Sequence, residues 1–194
     1  MLKLKQLYIE IKSSHHIFSG IFKMRRIHMT HQLSKEGADF IKSMEGLRLD
    51  AYLDSAGVLT IGYGHTGGDV HSGQQISQAE ADSYFSKDIG WAVTAVSSSV
   101  KVPLNQAQFD ALVSFTFNVG DGAFRSSTLL KKLNAGDTSA VPDEMNRWVY
   151  AGEKKGIIAD FVRWAHLGSG KEVSSVLKKR REREGKLFSK GVYA

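Results

Sequence analysis

The sequence predicts an α+β fold that is mostly helical, with a small β-hairpin lobe and a helical lobe around a cleft. Apolar residues recur at helical spacing in 34–47 and in most of 77–188, whereas residues 51–63 alternate in polarity. The 194 residues are 42% hydrophobic and 24% charged, which is typical of a globular protein. A chain of this length can bury a sizeable core in a single domain.

The first helix is predicted to begin after Ser34 and to end near Glu45. Ser34 is a favourable N-cap residue, and Gly46 is a natural helix stop. A carboxylate at that position lies at the negative end of the helix dipole. Partial burial there would further favour the protonated form. We therefore expect Glu45 to be suited to donating a proton.

The second element is predicted to be a β-hairpin whose turn is the sequence D-S-A-G. We predict a register that pairs Leu53 with Leu59. Thr60 then faces Tyr52 and shares one face of the hairpin with Asp54. Diagonal neighbours of this kind lie about 5–8 Å apart, which leaves room for one water molecule between the carboxylate and the hydroxyl.

The rest of the chain is predicted to be helical. The capping box S-Q-A-E begins a helix that continues to Ala95. The most apolar helix begins after Pro103 and is expected to stop at the sequence N-V-G-D-G. A short helix is predicted for residues 128–134, and a last helix for about 174–188.

The net charge of +6 comes from the two ends of the chain. Residues 1–29 and 171–194 each carry +5, which leaves −4 for the part between them. Basic ends could bind nucleic acid, anionic lipid or an anionic wall polymer, or could simply be solvated. We predict residues 1–30 to be a poorly ordered basic extension, or the product of an upstream start site.

Several kinds of site are missing from the sequence. No cysteine is present, which excludes disulfides, thiolate chemistry and Cys-rich zinc sites. The motifs of phosphate-binding loops, dinucleotide folds, zinc proteases and esterases are also absent.

What stands out instead is the spacing of Glu45, Asp54 and Thr60. Two carboxylates flanking a cleft suit the hydrolysis of a glycosidic bond. The alternative is that both are surface carboxylates that only cap local structure and are exposed to solvent.

Three stretches of the sequence carry a family resemblance. Residues 45–66 read E-G-L-R-L-D-A-Y-L-D-S-A-G-V-L-T-I-G-Y-G-H-T, residues 108–134 read Q-F-D-A-L-V-S-F-T-F-N-V-G-D-G-A-F-R-S-S-T-L-L-K-K-L-N, and residues 180–188 read R-R-E-R-E-G-K-L-F. They resemble the active-site signature, the central helix and the carboxy-terminal motif of the phage-type lysozymes, the family twenty-four glycoside hydrolases. The resemblance covers about 33–190 and implies a lysozyme-like catalytic domain over residues 31–194.

The resemblance implies a catalytic role for three residues. Glu45 would be the general acid and Asp54 the second carboxylate. Thr60 would hold the attacking water on the far face of the sugar. Inversion at the anomeric carbon follows, which needs carboxyl groups about 6.5–9.5 Å apart.

The resemblance also implies supporting residues. His65 is expected to anchor the loop after the hairpin rather than to take part in catalysis. Either Arg180 or Arg181 is expected to pair with Glu45. Tyr52 and Tyr63 are predicted to line the sugar groove, with packing as an equal alternative. Asn118 is predicted either to cap its helix, the safer interpretation, or to contact an N-acetyl group.

The expected activity is hydrolysis of the β-1,4 bond between N-acetylmuramic acid and N-acetylglucosamine by an endolysin that lyses its bacterial host. No metal or cofactor is implied. The expected partner is the glycan strand of peptidoglycan, with no nucleic acid and no stable membrane insertion, and the protein is expected to be a monomer. It should collect in the cytoplasm until a separate holin-type protein permits its release.

Three alternatives stay open beside this interpretation. A lytic transglycosylase would use the same fold without a water activator. A catalytically silent wall-binding protein would keep the fold alone, and the basic ends would allow binding to nucleic acid.

One departure from the family concerns a duplicated R-W pair, at Arg147-Trp148 and Arg163-Trp164, with about sixteen extra residues.

Overall fold

The computed structural model of the chain describes residues 31–54, 57–150 and 173–193. Every described residue lies within one compact unit, His31–Ala194. The predicted extension and the second R-W pair lie outside the described residues. No helix in the described part is both long and apolar enough to cross a membrane.

The described ranges form eight helices and one three-stranded sheet. In chain order they are α1 (Lys35–Glu45), β1 (Arg48–Leu53), β2 (Leu59–Gly62), β3 (His65–Thr66), α2 (Gln78–Asp88), α3 (Gly90–Ser99), α4 (Gln106–Val119), α5 (Asp121–Ser126), α6 (Thr128–Asn134), α7 (Val141–Asn146) and α8 (Ser175–Lys190). The α+β, mostly helical fold class is therefore confirmed.

Helix α1 brings Glu45 to its last position, as predicted. The Ser34 side chain accepts a hydrogen bond from the backbone N–H of Gly37 and caps the amino-terminal end. Gly46 follows with a φ of 75°, a conformation that favours glycine. The helix stops there because its next residue can leave the helical path at little cost.

The hairpin has the predicted register. Strands β1 and β2 are antiparallel, with Tyr52 opposite Thr60 and Leu53 opposite Leu59. The turn is closed by a hydrogen bond of 2.9 Å from the Asp54 N–H to the Val58 carbonyl. Strand β3 adds to the outer side of β2, which gives the sheet order β1-β2-β3.

The prediction of one continuous helix from the capping box to Ala95 is wrong. The capping box itself is present, but Ile89 separates α2 from α3. The Ala92 N–H donates to the Ile89 carbonyl at 3.0 Å, which is an i to i−3 bond of the tighter 3₁₀ type. The periodicity of apolar residues continues through this junction, and for that reason the pattern does not reveal it.

Helix α4 is the centre of the helical lobe. Its amino-terminal end is a capping box between Asn105 and Gln108, and Gly120 closes its other end with a φ of 90°. It packs against α1, α3, α5 and α8. Its fully or almost fully buried apolar residues are Phe109, Ala111, Leu112, Val113 and Phe115. Each large side chain of this kind stabilises the fold by about 1.5–3 kcal/mol relative to its exposed state, as an upper estimate.

Two short helices were not predicted. The N-V-G-D-G sequence does end α4, but Asp121 immediately begins α5. Helix α7 begins with Pro142 in its first turn, a position that tolerates proline. The short helix at 128–134 is confirmed, and the last helix extends two residues further than predicted, to Lys190.

The apolar residues form two separate cores. The larger lies among the helices, and the smaller consists of Ile61, Val70, Ile76 and Ala81 below the hairpin. Tyr63 packs against both cores. This tyrosine therefore connects the hairpin lobe to the helical lobe.

Candidate active site

Glu45 forms an ion pair with the last helix of the chain. Its Oε1 lies 2.8 Å from Nη2 of Arg180. The side chain of Glu45 is 22% exposed, whereas that of Arg180 is 7% exposed. Of the two candidate arginines, Arg180 is thus the one in direct contact with Glu45, and the carboxylate stays accessible to a ligand.

Arg181 points to a different partner. Its Nη2 donates to Oδ1 of Asn118, and its Nε donates to the Trp148 carbonyl at 3.1 Å. Burial lowers the pKa of the Arg181 guanidinium, and the neighbouring Glu184 carboxylate opposes that shift. The α4 terminus is closed by the Gly120 N–H, so the interpretation of Asn118 as a helix cap is wrong. Its contact with substrate stays a prediction.

Asp54 and Thr60 occupy the hairpin as expected from its register. Asp54 Oδ1 accepts a hydrogen bond of 2.8 Å from the Val58 N–H. The Thr60 hydroxyl donates to the Val58 carbonyl at 3.0 Å, and the residue is buried. Since the donated proton is engaged, the lone pairs of that hydroxyl are left to accept a hydrogen bond from water. Residues two apart on a strand share a face, and Tyr52 opposes Thr60.

The two tyrosines differ in their surroundings. The guanidinium of Arg48 lies 4.4 Å from the ring centroid of Tyr52, a cation–π contact. Tyr63 packs edge-to-face on Phe85 at 5.7 Å, and its hydroxyl accepts from Gln78 Nε2 at 2.7 Å. These contacts agree with the alternative interpretation of Tyr63 as a packing residue. A sugar contact for either ring stays a prediction.

His65 has the surroundings of an anchoring residue. Its Nδ1 lies 2.9 Å from a carboxylate oxygen of Asp88 in α2, and its Nε2 lies 3.2 Å from Asp69. The ring stacks on Tyr84 with centroids 4.1 Å apart. A backbone hydrogen bond first, and then the hydrogen bond with His65, lowers the pKa of Asp69. These contacts fasten the loop after the hairpin to α2.

Glu184 is a buried carboxylate beside the candidate site that was not predicted from the sequence. Glu184 has no solvent exposure and contacts both Arg180 and Arg181. Its spacing from them, four and three residues along a helix, was the available signal. Its hydrogen bond with Ser114 in α4, at 2.7 Å, was not readable from the sequence because 70 residues separate the pair.

Only the first R-W pair falls within the described residues. Trp148 packs edge-to-face on Phe115 with ring centroids 5.6 Å apart, and its carbonyl accepts from Arg181. This tryptophan therefore supports the arginine that holds Asn118. Its counterpart Trp164 and most of the extra segment lie outside the described residues.

The arrangement contains a partly exposed carboxylate at the end of α1 and a second carboxylate beside a hydroxyl on the hairpin. Glu45 is held at one oxygen, and the hairpin carries a carboxylate and a hydroxyl on one face. These are the groups needed to protonate a leaving oxygen and to direct a water at the opposite side of a sugar. In the described ranges, no group of three or more His, Asp or Glu residues has the placement of a metal site.

Comparison with known proteins identifies similarity to phage lysozymes and endolysins. The family model described as phage lysozyme matches residues 42–184. The endolysin of Bacillus phage B103 is 42% identical over 161 residues, which are 82% of this chain and 54% of that protein. This chain thus spans little more than half the length of that relative.

Two solved structures with similar folds come from a phage and from a bacterium. The endolysin from Escherichia coli O157:H7 phage FAHEc1 superposes with a TM-score of 0.73 at 38% identity, covering 84% of this chain and 96% of that one. The muramidase domain of SpmX from Asticcacaulis excentricus gives 0.70 at 35% identity, covering 82% and 98%.

Proposed function

Because this chain belongs to the phage lysozyme family, we propose that it is a lysozyme. Its substrate is the glycan strand of bacterial peptidoglycan, and the bond that it hydrolyses is the β-1,4 bond between N-acetylmuramic acid and N-acetylglucosamine. The observation that carries the proposal is the accessible Glu45 carboxylate held by Arg180 at 2.8 Å.

Glu45 acts as the general acid. Arg180 contacts Oε1, so we assign the transferable proton to Oε2. That proton passes to the glycosidic oxygen as the bond to the anomeric carbon breaks. Positive charge then develops on the sugar ring, in an oxocarbenium-like transition state. The Arg180 guanidinium lies 2.8 Å from the carboxylate that is left after proton transfer.

Asp54 and Thr60 act on the water. Thr60 accepts a hydrogen bond from the water, and Asp54 removes its second proton as the oxygen attacks the anomeric carbon. The attack comes from the face opposite the leaving group, so the product has inverted configuration. The hairpin register, in which Asp54 and Thr60 share a face, supports this assignment.

The proposal is tested by product analysis. Purified peptidoglycan is digested with the protein, and the released fragments are identified by mass spectrometry. Fragments that end in a reducing N-acetylmuramic acid are expected. Anhydro-muramic ends would indicate transglycosylation instead, and bound protein without fragments would indicate a silent wall-binding protein. Either outcome contradicts the proposal.

Access to the wall is a further part of the proposal. The protein is retained as a monomer inside the producing cell until a holin-type protein opens the membrane. Expression in bacteria should leave the cells intact until a membrane-permeabilising agent is added, and lysis should follow rapidly. Lysis on expression of the protein alone would contradict this route.

A further inference from the structure

Glu184 is a carboxylate without solvent exposure that uses both of its oxygens. Oε1 accepts from Arg180 Nε at 3.1 Å and from the Ser114 hydroxyl at 2.7 Å. Oε2 accepts from Nη1 of Arg181. Buried carboxylates are costly unless they are paired and hydrogen-bonded in this way.

The same two guanidinium groups present their other nitrogens to the candidate active site. Arg180 directs Nη2 to Glu45, and Arg181 directs Nη2 to Asn118. Each guanidinium is thus bound on one side by Glu184 and on the other by a residue predicted to contact the substrate or its reacting bond. Because a guanidinium is planar and its donors are fixed, holding one edge determines the direction of the rest.

The geometry of α8 explains why such a residue is needed. Successive residues of a helix point about 100° apart, so the side chains of Arg180 and Arg181 leave α8 in different directions. Glu184 lies one turn further along the helix and reaches both. The cluster of Glu45, Arg180, Arg181 and Glu184 contains two positive and two negative side chains, and loss of Glu184 would leave one buried positive charge without compensation.

We propose that Glu184 is a positioning residue for the reaction. Resting on the proposed function above, this role is to hold Arg180 against the general acid Glu45 and Arg181 against Asn118. Glu184 does not contact the substrate. Its effect on the turnover number is transmitted by Arg180, and its effect on substrate binding by Arg181.

Glu144 offers a matched control outside the site. It is likewise a buried glutamate, and it pairs with two cations, Lys132 at 2.7 Å and Arg147 at 3.5 Å. Neither cation contacts Glu45 or Asn118 in the described structure. A loss of activity caused only by a disrupted buried ion pair would therefore appear in both variants.

The experiment compares the kcat and KM of Glu184→Gln and Glu144→Gln on soluble peptidoglycan fragments. Each kcat is calculated from the concentration of folded protein. Both variants are expected to lower Tm. Only Glu184→Gln is expected to lower kcat, by at least tenfold. A kcat within twofold of the parent in folded Glu184→Gln protein, or an equal loss in Glu144→Gln, overturns the proposal.

A double-mutant cycle tests whether Arg180 transmits the effect. In an Arg180→Met background, Glu184→Gln should lower kcat by less than twofold further. If the loss of kcat in the double variant equals the product of the losses in the two single variants, Glu184 acts independently of Arg180. That result would overturn the assignment of Glu184 as a positioning residue for Arg180.

A second variant covers the case in which Glu184→Gln does not fold. Ser114→Ala then removes one hydrogen bond from Glu184 without changing charge. A fall in kcat of at least twofold supports the role, and an unchanged kcat overturns it. If the parent protein itself releases no fragments, it is the proposed function that has failed. If the parent is active and these variants match it, the inference about Glu184 alone has failed.

Discussion

The guanidinium of Arg180 lies 2.8 Å from the carboxylate of Glu45, and so joins the last helix of the chain to the end of the first. The two residues come from opposite ends of the described sequence. The contact means that the candidate acid depends on correct packing of α8 against α4 and α7. We therefore expect the proposed catalysis to depend on the completion of the fold.

Replacing Arg180 by Lys should lower kcat on the order of tenfold, equivalent to about 1.4 kcal/mol of activation free energy. Lysine keeps the charge, but a single ammonium group does not reproduce the fork that reaches Glu45 and Glu184 together. The measurement is steady-state kinetics on soluble peptidoglycan fragments. Arg125→Lys serves as the control. Arg125 forms an ion pair with Asp121, with a distance of 2.6 Å between Nε and Oδ1, and this pair lies away from the site. Equal kinetics in both variants would contradict the role of the fork.

Replacing Thr60 should separate the hydroxyl from the shape of the side chain. Thr60→Ser is expected to stay within about threefold of the parent rate, whereas Thr60→Val should lose activity on the order of 100-fold, the scale of a lost water-activating group. The rate of release of reducing ends from peptidoglycan measures both. Thr94→Val, which removes an exposed hydroxyl bonded to the Gly90 carbonyl, should have the parent rate. Full activity of Thr60→Val would remove Thr60 from the mechanism.

Gly37 is expected to be required for stability. A Cβ at this position would lie 2.5 Å from Cγ of Asp110, the buried carboxylate that accepts from Ser34 and Tyr193. Gly37→Ala should therefore lower the free energy of unfolding by about 1–3 kcal/mol. Urea denaturation measures this effect.

The control for Gly37 is Gly122→Ala. A Cβ on Gly122 in α5 meets no atom within 4 Å, and alanine is a better helix former than glycine. The control should be neutral or stabilising by up to about 1 kcal/mol. Equal stabilities of the two variants would contradict the close packing at Gly37.

Tyr193 should make stability depend on pH in the alkaline range. Burial first, and then the hydrogen bond with Asp110, raises the pKa of Tyr193 from its ordinary 10.0 to about 12. Because the folded state holds this proton more tightly, the contribution is fully present below pH 10 and is lost as the pH rises through about 12.

The comparison for this prediction is Tyr193→Phe, which lacks the titrating group. The difference in unfolding free energy between the parent and this variant should be constant from pH 7 to about 9 and should shrink by pH 11. Urea midpoints at these pH values measure it. A difference that is the same at pH 8 and pH 11 would contradict the shift.

Local patterns were enough to predict the parts of the site that depend on neighbouring residues. Gly46 marks the end of α1, and so the place of Glu45. The alternation on both sides of the turn at Asp54 fixes the register that brings Tyr52 opposite Thr60. These features follow from backbone preferences and a period of two, which are written in a few consecutive residues.

The parts that were missed depend on contacts between distant segments. For Asn118, capping was the safer of two interpretations because its local position suits a cap, but its side-chain oxygen accepts a hydrogen bond from Arg181. Helices α5 and α7 have only six residues each, too few to show a periodicity of 3.6. The break at Ile89 was hidden because apolar residues continue through it. Such features are decided by packing, which overrides local preference.

The central claim is that Glu45 is the acid that cleaves the glycan strand. It is tested most directly by the rate at which reducing ends are released from purified peptidoglycan by the parent and by Glu45→Gln, at equal concentrations of folded protein verified by circular dichroism. The account predicts a loss on the order of 1,000-fold, because the variant cannot donate a proton. A Glu45→Gln variant that releases reducing ends within tenfold of the parent rate would contradict it.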